Sequence, residues 1–167
     1  RPAPRWPARL LAGLVLFAGL VGVAGGPDDP REALLERAGP ALRTATAFAD
    51  MRLDFTSDDP RAVAAWLAPR FARIEPKRLG PPGWSLLGVR IVAGVDSSAA
   101  LVLYEDALGG KAGLLLEPTD ALPDLPELGG RDADMTVIAG AADGFAYAAV
   151  GPNRSGVGAL VPVRPED

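Results

Sequence analysis

From Leu10 to Gly26 the chain reads LLAGLVLFAGLVGVAGG, an apolar run with no charged or strongly polar side chain. Arg1, Arg5 and Arg9 precede it, and Asp28 and Asp29 follow. That asymmetry predicts a cytoplasmic N-terminus and an exported remainder, because basic residues are retained on the cytoplasmic side. Seventeen helical residues span about 25 Å against a hydrocarbon core of about 30 Å, so a span here requires local thinning, snorkelling by Arg9 and an interfacial Trp6. A cleaved signal peptide ending at the small residues Gly22, Ala24 and Gly26 is the rival reading, and a buried helix the third. The chain opens on Arg1 rather than Met, which is expected of a processed product or an interior piece and favours the anchor, since a signal peptide starts its protein.

Beyond the run, Asp29-Pro30 predicts a helix start, with Asp29 as N-cap, Pro30 in the first turn and acidic residues at the positive end of the helix dipole. Leu34, Leu35, Ala38, Ala41 and Leu42 recur at helical spacing, and Gly39-Pro40 is expected to shorten or kink this helix, making it a juxtamembrane connector. Met51–Phe55 alternates apolar and charged residues as a half-buried strand does. Ser57-Asp58-Asp59-Pro60 opens a second helix whose Val63, Trp66, Leu67 and Phe71 share a face, with Pro69 disturbing its last turn. After Gly80-Pro81-Pro82-Gly83 the pattern becomes short strands: Trp84–Leu87, Arg90–Ala93, Ala99–Tyr104, Gly113–Glu117, Met135–Ala139 and Phe145–Val150. Gly109-Gly110 is the best hairpin turn, and Pro118–Asp134, with its prolines and carboxylates, is expected to be a solvated loop.

These elements predict an α+β fold: an N-terminal transmembrane helix, then a two-layer domain of mainly antiparallel sheet with helices on one face. The expected organisation is a cytoplasmic juxtamembrane segment at 1–9, a transmembrane helix at 10–26 that meets the lipid bilayer, a connector at 27–50 and a periplasmic domain at 51–167. The last is of ordinary domain size.

Composition narrows the chemistry. The 167 residues contain no His and no Cys. A Ser-His-Asp or Cys-His catalytic unit, a thiolate metal site and a disulfide are therefore excluded from this chain. The net charge of −4, from 17 basic and 21 acidic residues, argues against direct nucleic-acid binding. Carboxylates are the remaining acid–base material. Glu105-Asp106 and Asp132/Asp134 are the obvious pairs, but strand neighbours point to opposite faces and turns commonly carry acidic residues, so both read as surface or turn positions. Asp132-Ala133-Asp134 lacks the ligand pattern of an EF-hand, Leu108-Gly109-Gly110-Lys111 lacks P-loop spacing, and Asn153-Arg154-Ser155 is a glycosylation triplet of the kind that arises by chance. Trp66 and Trp84 are expected in the core rather than as a ligand-stacking pair. No catalytic, metal-binding or cofactor-binding residue is assigned.

AVAAWLAPRF, GWSLLGVRIVAG and AALVLYEDALGGKAGLLLEP, in that order, resemble the periplasmic half of proteobacterial membrane-anchored anti-sigma factors, also described as transmembrane transcriptional regulators. The resemblance rests on Trp66-Leu67, Gly83-Trp84 with Leu86 and Gly88, Ala99-Ala100-Leu101, Tyr104-Glu105-Asp106 and Gly109, then on Asp143-Gly144-Phe145-Ala146-Tyr147. It covers roughly residues 50–152. It implies a single-pass inner-membrane regulator of an extracytoplasmic-function sigma factor. Its sigma-binding segment would lie upstream of this chain, and an envelope protease would act in signal-dependent release. The alternative is a secreted or membrane-anchored periplasmic ligand-binding module without catalytic activity, and a carboxylate hydrolase using Glu105 or Asp134 ranks last.

Overall fold

The buried apolar side chains of helix α1 (Pro30–Thr46) fall on one stripe, where Leu34, Ala38, Leu42 and Ala45 pack in the core against the sheet. The computed structural model describes residues 30–47, 52–71, 74–94, 98–119, 125–142, 144–152 and 154–161. The expected cytoplasmic segment at 1–9, transmembrane helix at 10–26 and cap at Asp29 lie outside them. No helix among the described residues is long and apolar enough to cross a membrane.

Following α1 come β1 (Phe55–Thr56), α2 (Pro60–Leu67), a 3₁₀ turn (Pro76–Leu79), β2 (Trp84–Ala93), β3 (Ser98–Asp106), β4 (Lys111–Pro118), β5 (Leu125–Asp132), β6 (Met135–Ala142), β7 (Phe145–Gly151) and α3 (Arg154–Gly158). The strands form one seven-stranded sheet in the order β1-β2-β3-β4-β7-β6-β5. Every pairing is antiparallel. The fold is α+β, as the strand pattern predicts.

The helices do not share one face, as expected, but cover both. Alternate residues explain the difference. Leu101 and Leu103 of β3, Leu115 of β4 and Ala146, Ala148 and Val150 of β7 point to α1. Val102 and Tyr104, Leu114 and Leu116, and Tyr147 and Ala149 point the other way, toward α2, the 3₁₀ turn and α3. Central strands this apolar at successive positions need cover on both sides.

Residues 30–46, expected as a connector ahead of the domain, belong to its core, and the helix runs unbroken through Gly39-Pro40. An interior proline costs about 3 kcal/mol, while burying Leu34 and Leu42 contributes roughly 1.5–3 kcal/mol each, so packing outweighs the local penalty. Gly39 also leaves room for a side chain: a Cβ there would overlap the Asp132 carboxylate, which would have to swing aside. Arg43 Nη2 then pairs with Asp132 Oδ2 at 2.8 Å.

Three further differences concern strands. The segments Trp84–Leu87 and Arg90–Ala93 form one strand with a bulge between Leu86 and Gly88. Gly88 has φ 146°, and a Cβ there would run into the Phe55 carbonyl of β1. Pro118–Asp134 is not all loop, because Leu125–Asp132 pairs with β6 as an edge strand, with irregular register between Leu125 and Leu128. Pro126 sits in this edge strand, the place a sheet tolerates a residue without an N–H. At β1 only Phe55–Thr56 pair. Asp54, next to the pair, donates its N–H to the Val89 carbonyl at 2.9 Å and accepts the Ile91 N–H on its carboxylate at 2.7 Å.

The expected start of α2 and the Gly109-Gly110 hairpin both form. Asp59 Oδ1 accepts the Arg61 N–H at 2.9 Å with Pro60 in the first turn, and the helix ends at Leu67, short of Pro69. Asp106 Oδ1 accepts from Leu108 N at 2.9 Å and Gly110 N at 2.7 Å, and Gly109 takes the left-handed φ of 83° that the turn needs.

Candidate ligand cleft

The carboxylates singled out in the sequence are engaged in structure. Glu105 pairs with Lys111 across the β3–β4 hairpin, and Asp106 holds the turn. Asp132 is tied to Arg43, and Asp134 lies exposed in the β5–β6 turn, where Ala133 adopts φ 55°. Glu105 and Asp106 face different partners, so no carboxylate pair converges on a common space there. Among the described residues no group of three or more acidic side chains is placed to hold a metal ion.

Nor do Trp66 and Trp84 come together. Trp66 stacks on Phe55 at 5.2 Å with 10° between the rings, and Arg70 lies 4.6 Å from its centroid on a cation–π contact. Trp84 donates from Nε1 to the Gly156 carbonyl at 3.1 Å, fastening α3 to β2. Both are packed against the core as partly buried side chains. Leu108-Gly109-Gly110-Lys111 is the hairpin turn itself, and Asn153 of the glycosylation triplet lies outside the described residues.

The concave feature lies elsewhere, on the sheet face opposite α1. A cleft of about 910 Å³ opens between the sheet and the segment joining α2 to β2. Leu114 and Leu116 of β4 and Phe145 and Tyr147 of β7 form its floor, with Ala142 of β6 at the margin. Ile74 and Leu79 line the wall, and Leu79 is fully buried. The rim is charged: Asp59 and Arg61 at the start of α2, then Glu75, Lys77 and Arg78 around the 3₁₀ turn.

Local chemistry accounts for the wall. Glu75 precedes Pro76, which fixes the first residue of the 3₁₀ turn, and Arg78 N–H returns to the Glu75 carbonyl at 3.0 Å. The short turn buries Leu79 and leaves Lys77 in solvent, so the apolar anchor and the charged rim come from one tetrapeptide. Glu75 is held by Lys77 at 2.9 Å and lies 3.8 Å from Arg78 Nε. The Asp59 carboxylate is occupied by the Arg61 N–H. Two acidic groups are thus engaged locally, and three cations share the rim.

No family model, curated protein or solved structure matches this chain. What the geometry offers is recognition: an apolar bed within the volume range of small-molecule pockets, about 300–1,000 Å³, under a rim of mixed charge with a cationic excess. The cleft is not legible in the sequence. Its floor residues read as ordinary strand positions, and only the pairing of β4 with β7 brings Leu116 opposite Tyr147. The available signal was Pro76-Lys77-Arg78-Leu79, cations beside one leucine in a segment bounded by proline and glycine.

One other group has no assigned role. Tyr104, the first residue of the Tyr-Glu-Asp motif, is buried, and its hydroxyl has no hydrogen-bond partner among the described residues. Burial pushes its phenol pKa up.

Proposed function

We propose that this chain is the membrane-anchored, exported part of an anti-sigma factor, with residues 10–26 crossing the bilayer and the sheet domain reading a signal in the envelope. Sigma-factor binding is assigned to a segment encoded upstream of Arg1. The supporting observation is the position of α1. It begins four residues after Gly26 and is a core element of the domain, not a free tether. Arg37 of α1 pairs with Glu117 Oε2 at 2.9 Å and also donates to the Ala93 carbonyl. A change in the sheet therefore acts directly on the helix that leads to the apolar run. Because Gly39 is buried against Asp132, an envelope protease reaches residues 39–40 only after α1 leaves the sheet.

The test is transcriptional. Deleting the complete reading frame should raise expression from a promoter driven by its paired extracytoplasmic-function sigma factor, and overproducing the complete product should silence it. Unchanged output in both arms, with membrane insertion confirmed by alkaline extraction, rules the regulator out. The cleft supports a second reading, an exported ligand-binding module. Cleavage after Ala24 or Gly26 in resting cells, found by sequencing the mature N-terminus, would favour that reading.

A further inference from the structure

We infer that the cleft between the β4–β7 floor and the 3₁₀ turn binds a single-chain anionic amphiphile, an acyl chain in the apolar bed with its charged head at Arg61, Lys77 and Arg78. The floor dictates the apolar part. Leu114, Leu116, Phe145 and Tyr147 belong to two strands that pair with each other, so their backbone N–H and C=O groups are committed within the sheet. A peptide lying there would leave its own backbone polar groups without partners, a cost an acyl chain does not incur.

The rim dictates the head. Asp59 caps the Arg61 N–H and Glu75 is held by its lysine and arginine neighbours, so among the described lining residues three cations face two engaged carboxylates, an excess of one positive charge. One anionic group complements it. Position adds a third argument, which rests on the membrane-anchored reading above. The floor occupies the end of the sheet where Pro118 and Ala142 both pair with Phe145. On the opposite face of that same end, Glu117 holds Arg37 in the N-terminal half of α1, while Asp132 holds Arg43 at the far end. The end of the sheet bearing the cleft is therefore the end nearest Pro30, four residues after Gly26 in the chain, and on the membrane-anchored reading membrane-derived amphiphiles are available there.

The experiment is photolabelling of the full chain in native membranes with a 16-carbon fatty acid carrying a terminal diazirine, followed by peptide mapping. Label is expected on the peptides containing Leu114–Leu116 or Phe145–Tyr147. Excess palmitate or lysophosphatidylglycerol should displace it at least tenfold, and the stronger of the two identifies a carboxylate or a phosphate head. Hexadecanol, which has no charge, should not displace it. Arg61→Glu, at an exposed position, should lower cleft labelling about tenfold, as expected for losing one charge-assisted contact. Ala142→Trp should abolish it while the thermal transition stays cooperative. Labelling confined to residues 10–26, or cleft labelling displaced equally by hexadecanol, overturns the proposal. Alkaline extraction of the same membranes reports the anchor separately: cleft labelling of extractable protein would leave the amphiphile site standing and remove the membrane-anchored reading.

Discussion

The two faces of the sheet are covered by different means. On one, a single long helix lies across β4, β5, β6 and β7, and the strands beneath it present small residues: Ala139, Ala146 and Ala148, with Gly113 and Gly130 close to Leu42 and Leu35. On the other, the same strands present Ile138, Phe145 and Tyr147, and the cover is divided among α2, a 3₁₀ turn and α3. Small side chains let a helix settle close and seal the face. Large side chains under short elements leave a gap, and the cleft is that gap.

If the faces differ in this way, equal truncations should have unequal effects. Leu101→Ala, in the cluster on the α1 face and fully buried, should cost about 3–5 kcal/mol, because it leaves a cavity in a packed core. Leu116→Ala, on the cleft floor, should cost nearer 2 kcal/mol, because that side chain already borders open space. Urea unfolding of the two variants measures the difference. Equal losses would mean that the cleft face is packed as tightly as the helix face.

The ion pairs sharpen the same contrast. Glu117 is the one buried charged residue among those described, with its side chain 10% exposed and that of Arg37 28% exposed. Removing Arg37 leaves a buried carboxylate short of a partner and should cost about 1–3 kcal/mol, less than for a fully buried pair. Lys77→Ala on the opposite face removes a pair whose cation is mostly in solvent and should change stability by less than about 0.5 kcal/mol. A double-mutant cycle of Arg37→Ala with Glu117→Ala isolates the coupling, and a value near zero would deny α1 its electrostatic clamp.

Much of this was legible in the sequence, and the failures share a cause. Strands β3, β4, β6 and β7, the start of α2 at Asp59-Pro60 and the Gly109-Gly110 turn are each specified by residues close in the chain. The prolines and carboxylates of Pro118–Asp134 predict a loop, and the pairing of Leu125–Asp132 with β6 overrides that local signal. Gly39-Pro40 predicts a short or kinked α1 from local propensity, whereas in the fold the glycine stands against a carboxylate from residue 132. The order of elements predicts helices on one face, whereas Leu114-Leu115-Leu116, apolar at successive positions, calls for cover on both sides. The cleft was invisible for the same reason, since it exists only where β4 meets β7.

Gly39 offers a change of sign. Alanine is favoured over glycine by about 0.8–1.0 kcal/mol in a helix interior, yet its Cβ would overlap the Asp132 carboxylate. Gly39→Ala should therefore destabilise the protein by about 1–2 kcal/mol, the range for forced overpacking. In an Asp132→Ala background the same substitution should become stabilising. If Gly39→Ala destabilises equally in both backgrounds, close approach to β5 is not why a glycine stands in the middle of α1.

The hydrophobic core offers one more contrast on the cleft face but away from the cleft, at Tyr104. Its hydroxyl is buried without a partner, a penalty of about 1–3 kcal/mol that a phenyl ring in the same place would not carry. Losing the hydroxyl also removes some packing, so Tyr104→Phe should stabilise the protein by about 1 kcal/mol at neutral pH. The pH dependence follows from the direction of the pKa shift. A phenol raised above its ordinary value of 10.0 binds its proton more tightly in the folded state, so its contribution is fully present below that pH. Above it the unfolded chain ionises and the folded chain does not, which removes up to about 1.4 kcal/mol of stability per pH unit. Urea unfolding at pH 8 and pH 11 should show the stability gap between Tyr104→Phe and the parent chain widening at the higher pH. The second tyrosine, Tyr147, is present in both chains and its first-order contribution cancels in the difference. A gap that stays constant, or phenolate absorbance from Tyr104 in the folded chain at pH 11, would show that water reaches this hydroxyl and that the face opposite α1 is open well beyond the cleft.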